Sequence, residues 1–182
     1  MLKVSDNLIL RPVNPEDAKT LFSLTDNDRE YLREWLPWVD GTKTEEDTLD
    51  YITFSQKGEK EGRLLNLAIV WKGKVVGITG FNNIDRTNHI ATIGYWLGNE
   101  YQGNGIMTSA VQTLTEYAFK ELLMNKVEIH AAEENKKSRS IPERLGYAHE
   151  GTLRSNGWLY DHFVDHVVYG ILADEWHEMK LS

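Results

Sequence analysis

The sequence predicts a single α+β domain spanning residues 1–182, built on one mixed β-sheet. Three observations carry this. Between residues 65 and 97, apolar residues alternate in three successive stretches joined by short polar turns, the pattern of an antiparallel meander. A long segment, 105–123, then places Met107, Ala110, Val111, Leu114, Ala118 and Leu122 at helical spacing. A strand at 126–132 follows that helix, so it must run parallel or nearly so to the strand before it. No repeat, low-complexity tract or linker divides the chain.

Composition narrows the function classes. The chain has 182 residues, 41% hydrophobic and 26% charged, ordinary for a globular domain with a sizeable core. It has no cysteine, which excludes disulfides, thiolate ligands and a cysteine nucleophile, and fits a cytoplasmic location. The N-terminus lacks a basic region followed by an apolar run, so no signal peptide is expected. No apolar run has membrane-spanning length, so no membrane partner is expected. A formal net charge of −8 argues against direct nucleic-acid binding and favours basic or amine-bearing partners.

Taken in order, Leu8 and Leu10, with Val4 before them, mark a first strand ending at Arg11-Pro12. Asn14-Pro15 opens a helix, Asn14 as cap and Pro15 at its first position, with Ala18, Leu21, Phe22 and Leu24 as the apolar stripe. A second helical piece, 28–36, stops at Pro37 and brings Trp35 and Trp38 to a loop. Thr44 caps a third helix running to 58, with Asp47 completing a capping box. Strands follow at 65–69 and 75–81, joined by the Lys72-Gly73-Lys74 turn; 82–87 is a turn region and 89–97 the third strand. After the strand at 126–132, a short helix spans 137–145, capped by Asn135 and stopped by Gly146. Strands at 147–153 and 163–172 flank a loop with Trp158 and Tyr160, and a terminal helix spans 173–179. That makes about seven strands.

The turn Gln102-Gly103-Asn104-Gly105 joins the meander to the long helix. Its glycines allow positive φ and close approach of another group. The helix's first amides have no internal partner and, with the helix dipole, favour an anion such as a phosphate. The loop carries no Lys or Arg. It is not a Walker A loop, because Ile106 and Met107 stand where Lys and Ser/Thr would; nor a dinucleotide fingerprint, because Thr108 replaces the third glycine. A purely structural connection remains the plain alternative.

Together the meander, Gln102-x-x-Gly105 at a helix start, Asn135-x-x-Ser138 and Arg144-Leu145-Gly146-Tyr147 resemble the GNAT acyltransferases that use acetyl-coenzyme A. Ile93-Gly94-Tyr95-Trp96-Leu97 and the glycine turn are similar to the RimJ/RimL-type ribosomal-protein N-terminal acetyltransferases. The resemblance spans residues 8–172. In the family's turn, Gln/Arg-x-x-Gly-x-Gly/Ala, Gln102 and Gly105 match and Met107 departs; a side chain turned into the core would leave its amide available.

The resemblance implies a mostly antiparallel sheet with helices on both faces and splayed central strands. It implies acetyl-coenzyme A as cofactor, its pyrophosphate on the amides of Gln102, Gly103, Asn104, Gly105, Ile106, Met107 and Thr108. It implies the pantetheine arm along Trp96, Leu97 and Gly98, the Leu97 amide polarising the thioester carbonyl, Asn135 contacting the arm, and Ser138 near the sulfur as proton donor to the leaving thiolate. Lys136 and Arg139 are candidates for the coenzyme phosphates. Trp35, Trp38, Trp158 and Tyr160 line either an acceptor pocket or a homodimer contact.

Transfer needs a neutral amine, whereas an α-amino group has a pKa near 8 and a lysine near ~10.4. Glu100, Asp161, His162 and Asp165 are candidate bases, as is a base acting through water. The histidines show no metal-site spacing and no metal is expected. The sequence therefore predicts acetyl transfer from acetyl-coenzyme A to an amine in a ternary complex, with a protein or peptide N-terminus as acceptor. A small-molecule amine acceptor (antibiotic or polyamine) and a non-catalytic acyl-coenzyme-A sensor are the alternatives.

Overall fold

The computed structural model describes residues 1–181. The strands are β1 (Leu2–Ser5), β2 (Leu8–Pro12), β3 (Leu65–Trp71), β4 (Lys74–Asp85), β5 (Ile90–Leu97), β6 (Lys126–Ala132), β7 (Ala148–Leu159) and β8 (His162–Leu172). The α-helices are α1 (Ala18–Asn27), α2 (Arg29–Arg33), α3 (Glu45–Lys60), α4 (Ile106–Lys120), α5 (Lys136–Arg144) and α6 (Ala173–Leu181). All eight strands form one sheet in the order β1-β2-β3-β4-β5-β6-β8-β7. Every pairing is antiparallel except that of β5 with β6, which α4 connects.

Two cores follow from strand alternation. On one face Leu67, Ile69, Ile93, Val127, Ile129 and Tyr169 pack with Ala110, Val111 and Leu114 of α4. On the other, Ala68 and Ile78 meet Leu21 of α1 and Ile52 of α3, with Trp96 packed alongside. Helices therefore cover both faces, as the resemblance implies.

Local chemistry explains the joints. Lys72 and Gly73 have φ of 50° and 78°, so the β3–β4 hairpin turns through two residues of positive φ, matching strand twist. Thr44 accepts from the Asp47 N–H at 3.3 Å and Asp47 accepts from the Thr44 N–H at 2.8 Å, closing the expected capping box.

Several boundaries differ from expectation. The N-terminal strand is a hairpin, β1–β2, which raises the strand number to eight. The Pro15–Asp17 turn is 3-10 before α1 begins, because Asp17 turns inward to pair with Arg11 at 2.7 Å. β4 continues through 82–85, expected as a turn, by means of an irregularity between Phe81 and Asn83. β7 extends to Leu159, so Trp158 lies on the strand opposite Phe163 rather than in a loop. Helix α2 ends at Arg33, and α3 runs two residues beyond 58.

Candidate active site

The site begins where β5 and β6 part. Their pairing runs only from Ile90↔Lys126 to Ile93↔Ile129. Beyond it, 94–97 pair with β4 alone and 130–132 with β8 alone. Gly98 N donates to Val76 O at 2.9 Å. Antiparallel ladder bonds alternate in direction, so the N–H groups of Tyr95 and Leu97 face the gap rather than β4. That is an open half-strand edge inside the sheet, the splay the resemblance implies.

Tyr95 bridges the gap. Its hydroxyl donates to Ser138 O at 3.0 Å and accepts from Ser138 Oγ at 3.2 Å. Burial pushes the Tyr95 phenol well above its usual range, although the Ser138 contact opposes that, so it stays protonated. Asn135 caps α5, its Oδ1 accepting from Ser138 N at 3.1 Å.

Around the gap lies a cleft of about 860 Å³, roofed by α2, floored by β5 and walled by the glycine turn and α5. Gly103 and Gly105 have φ of 76° and 70°, and a Cβ added to either would meet nothing within 4 Å. The turn thus presents bare backbone to open space. The first in-helix bond of α4 is Ser109 N to Gly105 O at 3.0 Å, leaving the amides of Ile106, Met107 and Thr108 without an intrahelical partner. Met107 is buried in the core, as its departure from the family turn requires.

The structure brings Trp35, Trp96, Leu97, Gln102, Gly103, Gly105, Ile106, Met107, Thr108, Asn135 and Ser138 to this one cleft. Gln102 spans its mouth: Nε2 donates to the Tyr31 hydroxyl, and Oε1 accepts from Lys137 Nζ at 3.1 Å. Asn104 spends its side-chain amide on the turn itself, donating to Tyr101 O at 3.0 Å and to Gln102 O at 3.1 Å. Gly98 follows β5 as the cap of a 3-10 turn. Trp38 lies outside the cleft lining but tilts against Trp96, ring centroids 5.8 Å apart. Tyr160 donates to Leu36 O at 2.5 Å and takes the Arg33 guanidinium over its ring at 3.8 Å, tying the β7–β8 hairpin to the end of α2.

The proposed bases are scattered. Glu100 is exposed on the turn after β5 and does not line the cleft. Asp161 and His162 pair with each other at 2.7 Å at the exposed hairpin tip. Asp165 accepts from Ser155 N at 2.7 Å. The two cations expected at the coenzyme phosphates, Lys136 and Arg139, do not line the cleft. Arg139 turns away to donate to Tyr169 at 2.9 Å and to Glu133 O at 2.8 Å. Lys137 and Arg144 do line it, Arg144 donating to Thr108 Oγ1 at 2.8 Å. The signal was available: 137, 141 and 144 share one helical face, with 138 beside them. Among the described residues no cluster of three or more His, Asp or Glu could hold a metal ion, and no helix is long and apolar enough to cross a membrane.

The fold and the half-open edge define a class, and the comparisons agree. Residues 7–148 match the acetyltransferase (GNAT) domain family. The chain belongs to this family and is an acetyltransferase. It is 33% identical over 181 residues, 98% of both chains, to YdaF of Bacillus subtilis, a protein provisionally named a ribosomal N-acetyltransferase. It is 28% identical over 173 residues to the ribosomal-protein-serine acetyltransferase of Escherichia coli, covering 95% of this chain and 97% of that one. Among solved structures, the microcin C7 self-immunity acetyltransferase MccE, in complex with acetyl-CoA and AMP, is 30% identical with a TM-score of 0.90, covering 93% of this chain and 94% of that one.

Proposed function

We propose that the protein transfers an acetyl group from acetyl-coenzyme A to the α-amino group of a protein or peptide N-terminus, a ribosomal protein among the candidates, by direct attack in a ternary complex. The observation that carries this reading is the continuity of one cleft from the bare glycine turn to the unpaired edge of β5. The coenzyme supplies an activated acetyl thioester. A phosphate chain fits the turn because no side chain fills the space beside Gly103 and Gly105. Lys137 and Arg144 add positive charge at the same wall. An extended arm fits the edge, where the Tyr95 and Leu97 amides are unpaired by β4. There the Leu97 N–H would hold developing negative charge on a carbonyl oxygen, an oxyanion contact of ~2.7–4 kcal/mol.

Ser138 is the proton donor in this reading, because it lines the cleft from the first turn of α5 beside the Tyr95 hydroxyl. Trp35 and the Trp96 edge shape an apolar entrance for the acceptor. The names of the relatives in Escherichia coli, a ribosomal-protein-serine acetyltransferase and a ribosomal protein uS5-alanine N-acetyltransferase, together with the Salmonella typhimurium enzyme described as modifying the N-terminal serine of L7/L12, favour a protein N-terminus, and a cytoplasmic setting goes with that acceptor. A small-molecule amine is the second reading, favoured by the resemblance to the microcin C7 self-immunity acetyltransferase, whose solved complex holds a small molecule, AMP, together with acetyl-CoA.

The test is calorimetric titration with acetyl-coenzyme A of the wild type and of Gly105→Trp, then mass-spectrometric screening of acceptors. Binding that vanishes in a folded variant is expected, followed by acetylation of serine- or alanine-led peptides. Acetylation of small amines only would select the second reading. Binding with no acetylation of any amine would select a sensor, and no binding by the wild type would end the coenzyme reading.

A further inference from the structure

The fork between β5 and β6 has two sides. On one, α4 and α5 build the cleft. On the other, α1 and α3 pack over β3 and β4; among the described residues the helices that touch β6 and β8 (α4, α5 and α6) pack with the core of the first side. Strand alternation places Glu128, His130 and Ala132 of β6 on this open side, with Thr92, Gly94 and Trp96 of β5, because Thr92 pairs with Glu128 and Ile93 with Ile129. His130 is therefore the first β6 side chain past the last paired residues, at the vertex of the gap and on the face away from α5. Nothing stands on β5 opposite it except Gly94, and a Cβ there would lie 2.1 Å from Asn82 Nδ2. Asn82 thus folds across the glycine on this same face.

Resting on the transfer reading above, we infer that His130 is the base that takes the proton from the acceptor ammonium, with Glu128 as its positioning residue. The geometry has the form a base requires: a titratable nitrogen held by a carboxylate on its far side. His130 Nε2 lies 3.0 Å from Glu128 Oε2. With Nε2–H donating to that carboxylate, Nδ1 carries the free lone pair. The ammonium proton passes to Nδ1 and from the imidazolium to water, leaving nitrogen with the electron pair it needs to attack from the open side. Glu128 is in turn held by Lys126 at 2.7 Å, and Lys126 also pairs with Glu150 of β7 at 2.6 Å. On β8, His166 shares the face and accepts from Asn156 Nδ2 at 3.0 Å, with Asp165 beside it. The residues named on β4 and β5, Asn82, Thr92 and Trp96, are uncharged. His166 is committed to Asn156 and packs on Gly157, so it is not the base.

Two readouts test this. In steady state with acetyl-coenzyme A and a serine-led peptide, His130→Gln and His130→Asn are expected to lower kcat by ~10²-fold or more, with calorimetric acetyl-coenzyme A affinity unchanged and the acid limb contributed by the imidazole removed. Glu128→Gln lowers kcat with KM unmoved, Glu128→Asp recovers part of it, and His166→Gln keeps the wild-type pH profile. Independently of turnover, ring ¹⁵N NMR of the wild type with a bisubstrate conjugate of coenzyme A and a serine peptide is expected to shift His130 and not His177. A folded His130 variant within threefold of wild-type kcat, or an unmoved His130 ring with conjugate bound, overturns the inference while leaving the transfer reading intact. Failure of acetyl-coenzyme A binding in the wild type is a different result, and removes both.

Discussion

The Tyr95 hydroxyl and Ser138 bond reciprocally across the β5–β6 gap, Tyr95 donating to the Ser138 carbonyl at 3.0 Å and accepting from Ser138 Oγ at 3.2 Å. One phenol thus fixes both the backbone and the side chain of the residue proposed as proton donor. Replacing it by Phe keeps the ring's packing and removes both bonds. Tyr95→Phe is expected to lower kcat about tenfold, equivalent to ~1.4 kcal/mol, and to lower Tm by a few degrees, about 1 kcal/mol of buried hydrogen bond. Ser138→Ala is expected to cost ~10²-fold. A double-mutant cycle decides the coupling: Tyr95→Phe in the Ser138→Ala background should cost kcat little more. Additive losses would show that Tyr95 acts by another route.

The two faces of α5 separate binding from stability. Lys137 and Arg144 line the cleft, whereas Arg139 braces Tyr169 and Glu133. Arg144→Ala and Lys137→Ala are each expected to weaken acetyl-coenzyme A binding about tenfold, the scale of a lost charge-assisted contact, with a shallower salt dependence. Arg139→Ala should leave affinity within threefold and lower Tm instead, because it strands the Glu133 carbonyl and removes the guanidinium from the Tyr169 hydroxyl, which keeps only its bond to Glu143. Calorimetry at two salt concentrations beside thermal melts checks both arms.

This sorting shows where sequence reading stops. The meander, the glycine turn and the α5 cap were legible because each is set by residues within a few positions: alternation, positive φ, an Asn three residues before a free amide. The strands beyond 81 and 153 were not. Asn82 to Asp85 and Arg154 to Leu159 are polar or glycine-containing; the strands continue past irregularities at Asn82 and at Arg154 to Asn156, and Asn83 to Asp85 and Gly157 to Leu159 pair only because β5 and β8 offer partners. The β1–β2 hairpin was hidden because Val4, Leu8 and Leu10 read as one strand, and the tight turn between Ser5 and Leu8 carries no glycine or proline to break it. In the site, the cleft wall was legible as motifs, but the Tyr95–Ser138 bridge joins residues 43 apart. No local pattern encodes which strands splay. The cations on α5 divide by helical face: Arg139 and Lys137 are two residues apart and so point to different sides, which residue type alone does not reveal.

Asn135 does two jobs at one position, capping α5 and lining the cleft. Asn135→Asp preserves the cap acceptor and adds a negative charge beside the coenzyme path; Asn135→Ala loses both. Asp is expected to hold Tm near wild type while weakening acetyl-coenzyme A binding. Ala should cost about 1 kcal/mol of stability as well. If Ala lowers Tm with affinity unchanged, Asn135 is a cap alone.

A carboxylate of α4 helps to fasten the C-terminal helix. Glu116 of α4 accepts from Trp176 Nε1 at 2.8 Å and pairs with Lys120 at 2.6 Å and with Lys180 of α6. Burial by itself would raise this carboxyl, but the hydrogen bonds from Lys120, Lys180 and Trp176 outweigh it and bring it down to about 2. The folded value lies below the unfolded one, so the bond's stability is fully present above about pH 4.5 and is lost as pH falls from there toward 2. Its size is on the order of 1 kcal/mol, since the lysines are partly exposed. Glu116→Gln, which keeps an acceptor for the Trp176 N–H but cannot ionise, should be less stable than wild type at pH 6, and the gap should close by pH 2. Thermal melts between pH 2 and 6 measure this directly. A gap that stays constant down to pH 2 would mean that the charge on Glu116 is not what separates the two proteins.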